Sequence, residues 1–398
     1  MSSLHSSHSS ENSPPVLEET SAKKRVRVLH VNSGNLYGGV ETILATMGRL
    51  RDLCPEMDSQ FALCHEGRLS TELREAGATV HILGKVRTSR PWTVHKARRA
   101  LRETLRREAF DMVICHMPWS LAVFGGVARA EGQCLGFWAH GFHTGRGWLE
   151  IIARWTPPDI AIANSEFTEK GLANLFPRVP HCVIYAPMSL TVSPQRERWR
   201  WTVRQREGIN QDGVVIVQVS RLEDWKGHTL HLDALARLGK MPQWTCWIVG
   251  GPQRPEEEEY FRQLRETANQ LGIGERVKFF GQRSDVAELL AAADIFCQPN
   301  LRPEPFGLVF IEALWAGLPV VTTRMGGAVE IVDESCGMLA EPGNVASLAE
   351  GLERLIKSPE LRARLGRSAA PRAQQISDPE TQMRKLRDAL PIGQRKVG

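Results

Sequence analysis

Short apolar runs rich in β-branched residues alternate with amphipathic stretches along most of the chain. Lys23–Val31 reads as a basic lead into a first strand, and Gln60–His65 and Thr79–Leu83 as two more with a helix over Leu69–Ala76 between them. Phe110–His116, Cys134–Ala139, Asp159–Ala163 and Cys182–Tyr185 continue the series. After a polar interval it resumes with Gly213–Ser220, Trp244–Val249, Val277–Gly281, Ile295–Gln298 and Pro319–Thr322. Strands separated by helical periods imply βαβ units and parallel sheets. The pattern predicts two doubly wound, Rossmann-like α/β domains facing a cleft, over 23–187 and 208–375. Residues 188–207 are expected as a linker with an entry helix into the second domain, and 376–398 as a C-terminal helix and tail. The Ser-rich stretch 1–22 lacks an apolar h-region, so it reads as a disordered tail and not a secretory signal.

Composition narrows the class. The 398 residues are 42% hydrophobic, ample for two large cores, and no apolar run reaches the roughly 18 residues of a membrane-spanning helix. Eight scattered cysteines show neither Cys-x-x-Cys nor zinc spacing and read as buried free thiols of a reducing cytoplasm. The net charge of +5 is mild, but Lys85–Glu108 carries nine Lys or Arg against Glu103 and Glu108, a net +7. Its thin stripe of Trp92, Val94, Ala97, Leu101 and Leu105 allows two readings: a solvated helix packed on the sheet, or an interfacial helix against anionic lipid. No aromatic-interleaved module for nucleic acid is present.

The chemistry concentrates in Arg302-Pro-Glu304-Pro-Phe-Gly307-Leu308, which runs on to Glu312 and then to Gly317-Leu-Pro319. Pro303 and Pro305 delay a helix, Leu308–Ala316 forms one, and Gly317 and Pro319 stop it. That helix is apolar nearly all round, so the Glu312 carboxylate needs a buried partner or a polyhydroxyl ligand. Glu304 lies roughly 12 Å away at helical rise, a span suited to an elongated ligand across the helix N-terminus at Gly307 and Leu308. Arg221 and Lys226, five residues apart after the strand ending at Ser220, can converge on one diphosphate. Gly38 and Gly39 sit in a strand–glycine–helix layout able to approach an anion. Gly250 ends another strand, and His140 falls at a strand's C-terminal end, where open α/β sheets bind ligands. His143 and Arg146 follow it closely.

Glu304-Pro-Phe-Gly-Leu-x3-Glu312-Ala-x2-Ala-Gly-x-Pro-Val resembles the Glu-x7-Glu motif of retaining glycosyltransferases of family 4, which have the GT-B fold. The resemblance extends over nearly the whole chain and is most specific in the second domain. It implies that Glu304 lies beside the donor sugar, that Glu312 binds ribose hydroxyls, and that Arg221 and Lys226 neutralise the leaving diphosphate. It places Gly38 and Gly39 at the donor phosphates and His140 near the sugar. Gly281 and Arg283 fall beside the nucleobase, while Gly327 and Glu330, in a Gly-Gly-x-x-Glu, fall at the sugar end with His143 and Arg146. Tyr185-Ala-Pro187 departs from the family's Asn-Gly at the hinge. The implied activity is metal-independent, retaining hexosyl transfer from a UDP- or GDP-sugar to a glycan, lipid-linked or small-molecule acceptor, with no cofactor. The cytoplasm is the expected compartment, with the inner membrane face if Lys85–Glu108 meets lipid. The alternatives are a GT-B epimerase or hydrolase of nucleotide sugars and a non-catalytic nucleotide-sugar-binding module.

Overall fold

The computed structural model describes residues 25–392 apart from 36, 189–194, 211, 240 and 242–243. The expected tail 1–22 lies outside them. The first sheet contains β1 (Val26–Asn32), β2 (Met57–Leu63), β3 (Val80–Ile82), β4 (Met112–His116), β5 (Cys134–Ala139), β6 (Ile160–Ala163) and β7 (His181–Val183). The second contains β8 (Val214–Val219), β9 (Trp244–Val249), β10 (Val277–Gly281), β11 (Ile295–Gln298), β12 (Val320–Thr323) and β13 (Gly337–Ala340). The orders are β3-β2-β1-β4-β5-β6-β7 and β10-β9-β8-β11-β12-β13. Neighbouring strands pair in parallel throughout. Both are doubly wound sheets whose order reverses at one place, between β1 and β4 and between β8 and β11. Ligand clefts form at such switch points, outside the carboxyl ends of the strands.

Runs such as Val214-Val-Ile-Val217 are apolar on both sheet faces because helices cover both. One core cluster serves the outer face of each sheet. A third is continuous across the two domains, running from Val28 and Ile43 through Ala186 and Val203 to Phe306, Phe310 and Met383.

The join between domains is tighter than a 188–207 linker. Arg196–Arg206 is a helix fixed to the second domain, where Arg200 and Arg204 grip Asp294 at 2.5 and 2.9 Å. The entry helix expected in this stretch thus belongs to the second domain, which starts before residue 208. Several elements had no counterpart in the sequence reading, among them the helices Met117–Ala130 and Val286–Ala292, β13 and the helix Pro359–Ser377. Pro371 lies inside that helix and withholds a main-chain donor, so the stretch does not read as one continuous helix. The last helix, Pro379–Ala389, returns to the first domain, where Arg384 meets Glu56 at 3.2 Å. In the basic stretch, Pro91–Arg107 is a helix that buries Ala97, Leu101, Thr104 and Leu105. Arg102 and Arg106 both bind Glu131, which accounts for part of the charge by pairing within the domain.

Candidate functional site

A cavity of about 340 Å³ lies between the two switch points. Its first-domain wall is Gly39, Val40, Ile43, His140 and Asn164. Its second-domain wall carries Ser220, Arg221, Trp225, Lys226, Gln298 and Glu304 through Val309. Residues nearly 270 positions apart in sequence meet because both sheets present their carboxyl ends to the same gap.

The second-domain wall is the charged one. The chain leaves β8 and makes one short turn, Asp224–Lys226, before the helix His228–Arg237. That turn brings Lys226 inward, nearly buried, over the Trp225 ring at 3.8 Å. Its Nζ lies 2.5 Å from Glu304 Oε2, and Asn300 Nδ2 donates to the same oxygen at 3.2 Å. Arg221 stays exposed, 3.0 Å from Glu223. The helix Leu308–Trp315 begins at this wall, with Gly307, Leu308 and Val309 in the cavity lining. Gly307 opens it at φ +107°, and a Cβ there would stand 2.3 Å from the Phe310 ring, so only glycine fits. The N-terminal amides and the two cations together make a strongly anion-attracting wall.

Glu312 projects from the same helix but does not line the cavity itself. No described residue hydrogen-bonds its carboxyl, and burial pushes that group up to about 7. Of the partner and ligand readings open at this position, the described residues supply no partner.

The first-domain wall is neutral. Gly39 starts the helix Gly39–Arg49, and Gly38 caps it, its N–H donating to Glu41 Oε2 at 3.1 Å. The capping group is thus already occupied by Glu41, and Gly39 is the glycine that reaches the cavity. His140 Nε2 lies 2.9 Å from His116 Nδ1, and His116 Nε2 lies 3.0 Å from His30 Nδ1. Burial lowers the pKa of all three rings, to about 3 for His30 and His140.

Several expected site residues go elsewhere. His143 is buried and held by Glu150 at 2.8 Å, packed beside the helix Glu166–Leu175, so it belongs to the first-domain core. Arg146 is exposed on the loop beyond it. Gly250 and Gly281 bridge each other by a 2.9 Å backbone bond, and Arg283 is paired with Asp285 at 2.7 Å. These three stand at the ends of β9 and β10, outside the cavity lining. A Cβ on Gly327 would lie 2.6 Å from the Pro305 carbonyl oxygen, so this glycine allows close chain packing behind the Glu304 loop.

Glu330, expected at the sugar end, is instead a tie between domains. Its carboxylate accepts from the amides of Glu166 and Phe167 at 2.8 and 2.9 Å, and from Tyr185 Oη at 3.1 Å. The orphan N–H groups of the helix Glu166–Leu175 attract a carboxylate by charge and by hydrogen bonding, and this one comes from the other domain. Ser165 Oγ donates to the Pro305 carbonyl at 2.5 Å beside it, and Tyr185 stacks on Phe306. Asn164, Asn300 and Trp225 complete the site although no motif marked them. Asn164 and Asn300 each follow the end of a strand, which is the one signal available.

Comparison with known proteins agrees with this geometry. Residues 200–372 match the family described as Glycosyl transferases group 1. The chain is 36% identical over 173 residues to the lipopolysaccharide glucosyltransferase WaaG of Escherichia coli, covering 43% of this chain and 44% of that protein. It is 30% identical over 294 residues to a D-inositol 3-phosphate glycosyltransferase of Saccharomonospora viridis, covering 72% of this chain and 65% of the relative. The chain thus spans about half to two thirds of these two relatives. The crystal structure of HepE from Anabaena in complex with UDP superposes with a TM-score of 0.79 at 26% identity, over 92% of this chain and 99% of that one. Its neighbours share two Rossmann-like domains in the GT-B arrangement. Residues 200–372, which carry the charged wall of the cavity, belong to the glycosyl transferases group 1 family.

Proposed function

We propose that the protein is a metal-independent, retaining glycosyltransferase that moves a hexose from a UDP-sugar to a glycan or lipid-linked acceptor of the cell envelope. The observation that carries this reading is the convergence of Lys226, Arg221, Glu304 and the Leu308–Trp315 N-terminus on one cavity, faced by His140 and Gly39. Charge develops on the departing diphosphate, and two cations with a helix N-terminus supply preorganised stabilisation there without a metal ion. UDP as leaving group is favoured by the likeness to HepE, solved with UDP and with UDP-glucose, and an envelope acceptor by the likeness to WaaG.

Glu304 serves as a positioning group. Its bond to Lys226 and Asn300 lowers its nucleophilicity, and it is the one carboxylate among the described residues that line the cavity. The resemblance to retaining glycosyltransferases of family 4 implies that the leaving phosphate takes the acceptor's proton. Glu312 accepts ribose hydroxyls. The protein would work in the cytoplasm; among the described residues no helix is long and apolar enough to cross a membrane. The helix Pro91–Arg107, with Trp92 exposed, offers a basic face for anionic lipid.

A thermal-shift panel of UDP, GDP, ADP and their sugars, with and without EDTA, tests this. A selective rise with UDP and UDP-sugars that EDTA leaves intact supports the reading. No shift with any nucleotide overturns it.

A further inference from the structure

The three histidines lie on one face of the first sheet, and their placement is a staircase. His30 on β1 is in register with Ile114 on β4, His116 is two residues beyond Ile114 and in register with Trp138 on β5, and His140 is two residues beyond Trp138. Residues two apart on a strand share a face, so each ring is offset toward the carboxyl ends and the last reaches the cavity. His116 stacks on Trp138 at 5.4 Å and on His140 at 5.2 Å, while His30 stacks on Phe61 at 5.5 Å. Ring planes are thereby fixed as well as ring contacts.

Proton counting limits what this row can do. Burial disfavours charge on all three rings, so each is a neutral imidazole with one donor nitrogen and one acceptor nitrogen. Three rings joined by two hydrogen bonds hold three protons, two of them inside the bonds. Both bonds must therefore point the same way, and the third proton sits at one end, on His30 Nε2 or on His140 Nδ1. Neither atom has a hydrogen-bond partner in the protein. Both atoms are buried, but His30 is sealed within the sheet, whereas the His140 ring is part of the cavity wall.

We propose that His30 and His116 are positioning residues that order the protons of His140, so that His140 presents Nδ1–H as a donor to a hydroxyl or phosphate oxygen of the bound sugar nucleotide. In this arrangement His30 Nδ1–H donates to His116 Nε2, and His116 Nδ1–H donates to His140 Nε2. The assignment rests on the glycosyl-transfer reading for its ligand but not for its proton order. No proton is transferred, so the row acts on orientation alone.

The test is nitrogen NMR on the full chain labelled with ¹⁵N-histidine, which distinguishes the two neutral tautomers, first free and then with UDP-glucose. His116 and His140 are expected to share one tautomer in the free protein, and both to be Nδ1–H with UDP-glucose bound. Opposite tautomers on the two rings, or Nε2–H on His140 in the complex, overturns the proposal. Turnover gives a second readout. His30→Leu should lower kcat about tenfold with the donor KM within about twofold, and His30→Asn, which keeps a polar group where Nδ1 stands, should recover most of it. Equal losses in the two variants overturn the positioning role. If UDP-glucose neither binds nor turns over, the glycosyl-transfer reading fails, while the free-protein spectrum still decides the proton order.

Discussion

The two walls of the cleft are made in opposite ways. The second-domain wall is charged, compact in sequence and held by ionic contacts; Lys226 and Glu304 touch within it before any ligand arrives. The first-domain wall is neutral, assembled from the start of the helix Gly39–Arg49 and the ends of β5 and β6, with His140 backed by hydrogen-bonded buried rings on β4 and β1. One wall is built to hold an anion and the other to orient something uncharged. The difference teaches that a charged site can be written in a short motif, whereas a neutral one depends on which strands the topology places side by side.

The largest expected break of this asymmetry comes from Lys226→Ala. Removing the cation should lower turnover by about 10³-fold, the scale of losing one preorganised charge-stabilising group. It also leaves Glu304 as a half-buried carboxylate with Asn300 as its remaining partner, which should cost about 1–2 kcal/mol in stability by thermal unfolding. Adding Glu304→Gln should restore much of that stability and none of the turnover. Full turnover in Lys226→Ala would remove the phosphate role from this wall.

Glu312→Gln should act in two directions. Loss of the ribose contact should weaken UDP binding by about tenfold in calorimetry. The carboxyl is raised from 4.5 to about 7 in the folded chain, so the folded state binds this proton more tightly than the unfolded one. Its contribution to stability is present below pH about 4.5 and is lost as pH rises through about 7. The glutamine variant should therefore match the wild type near pH 4.5 and exceed it at pH 8 by up to about 3 kcal/mol. Denaturant midpoints at the two pH values check this, and equal differences at both would refute it.

Glu330→Gln probes the seam between the walls. Weakening the cap on the helix Glu166–Leu175 should cost about 1–2 kcal/mol and speed amide exchange at Glu166 and Phe167, with UDP affinity nearly unchanged. Arg146→Ala is the smallest change. Exposed beyond the His143 loop, it should alter stability by less than about 0.5 kcal/mol and leave turnover intact, and a large loss would return that loop to the site.

Legibility followed the same divide. Arg221, Lys226, Glu304 and Gly307 could be read because charge, proline and glycine at fixed spacing carry their own geometry, and the alternation of apolar runs revealed both parallel sheets. His140 was legible from its place at a strand end, but His30 and His116 were not, since the bonds joining them depend on β1, β4 and β5 being neighbours. Glu330 misled for a related reason: a carboxylate after Gly-Gly looks the same whether it meets a sugar or caps a helix 164 residues earlier. His143 failed on burial, because three residues of loop were enough to turn its ring from the cleft into the core. Pro359–Ser377 escaped because Pro371 reads as a stop when taken alone.

The chain passes between the domains twice, and the two passages touch. Met188 N–H donates to the Ser377 carbonyl at 2.9 Å, and the last helix begins two residues later, at Pro379. A body tied to another by one strand can tumble in any direction; two strands clasped at one point act as a pin. Rotation about that pin is then the expected relative motion of the halves, with sideways sliding opposed by it. The two walls would part and meet along a fixed arc, so each return brings Lys226 and His140 back to the same opposition.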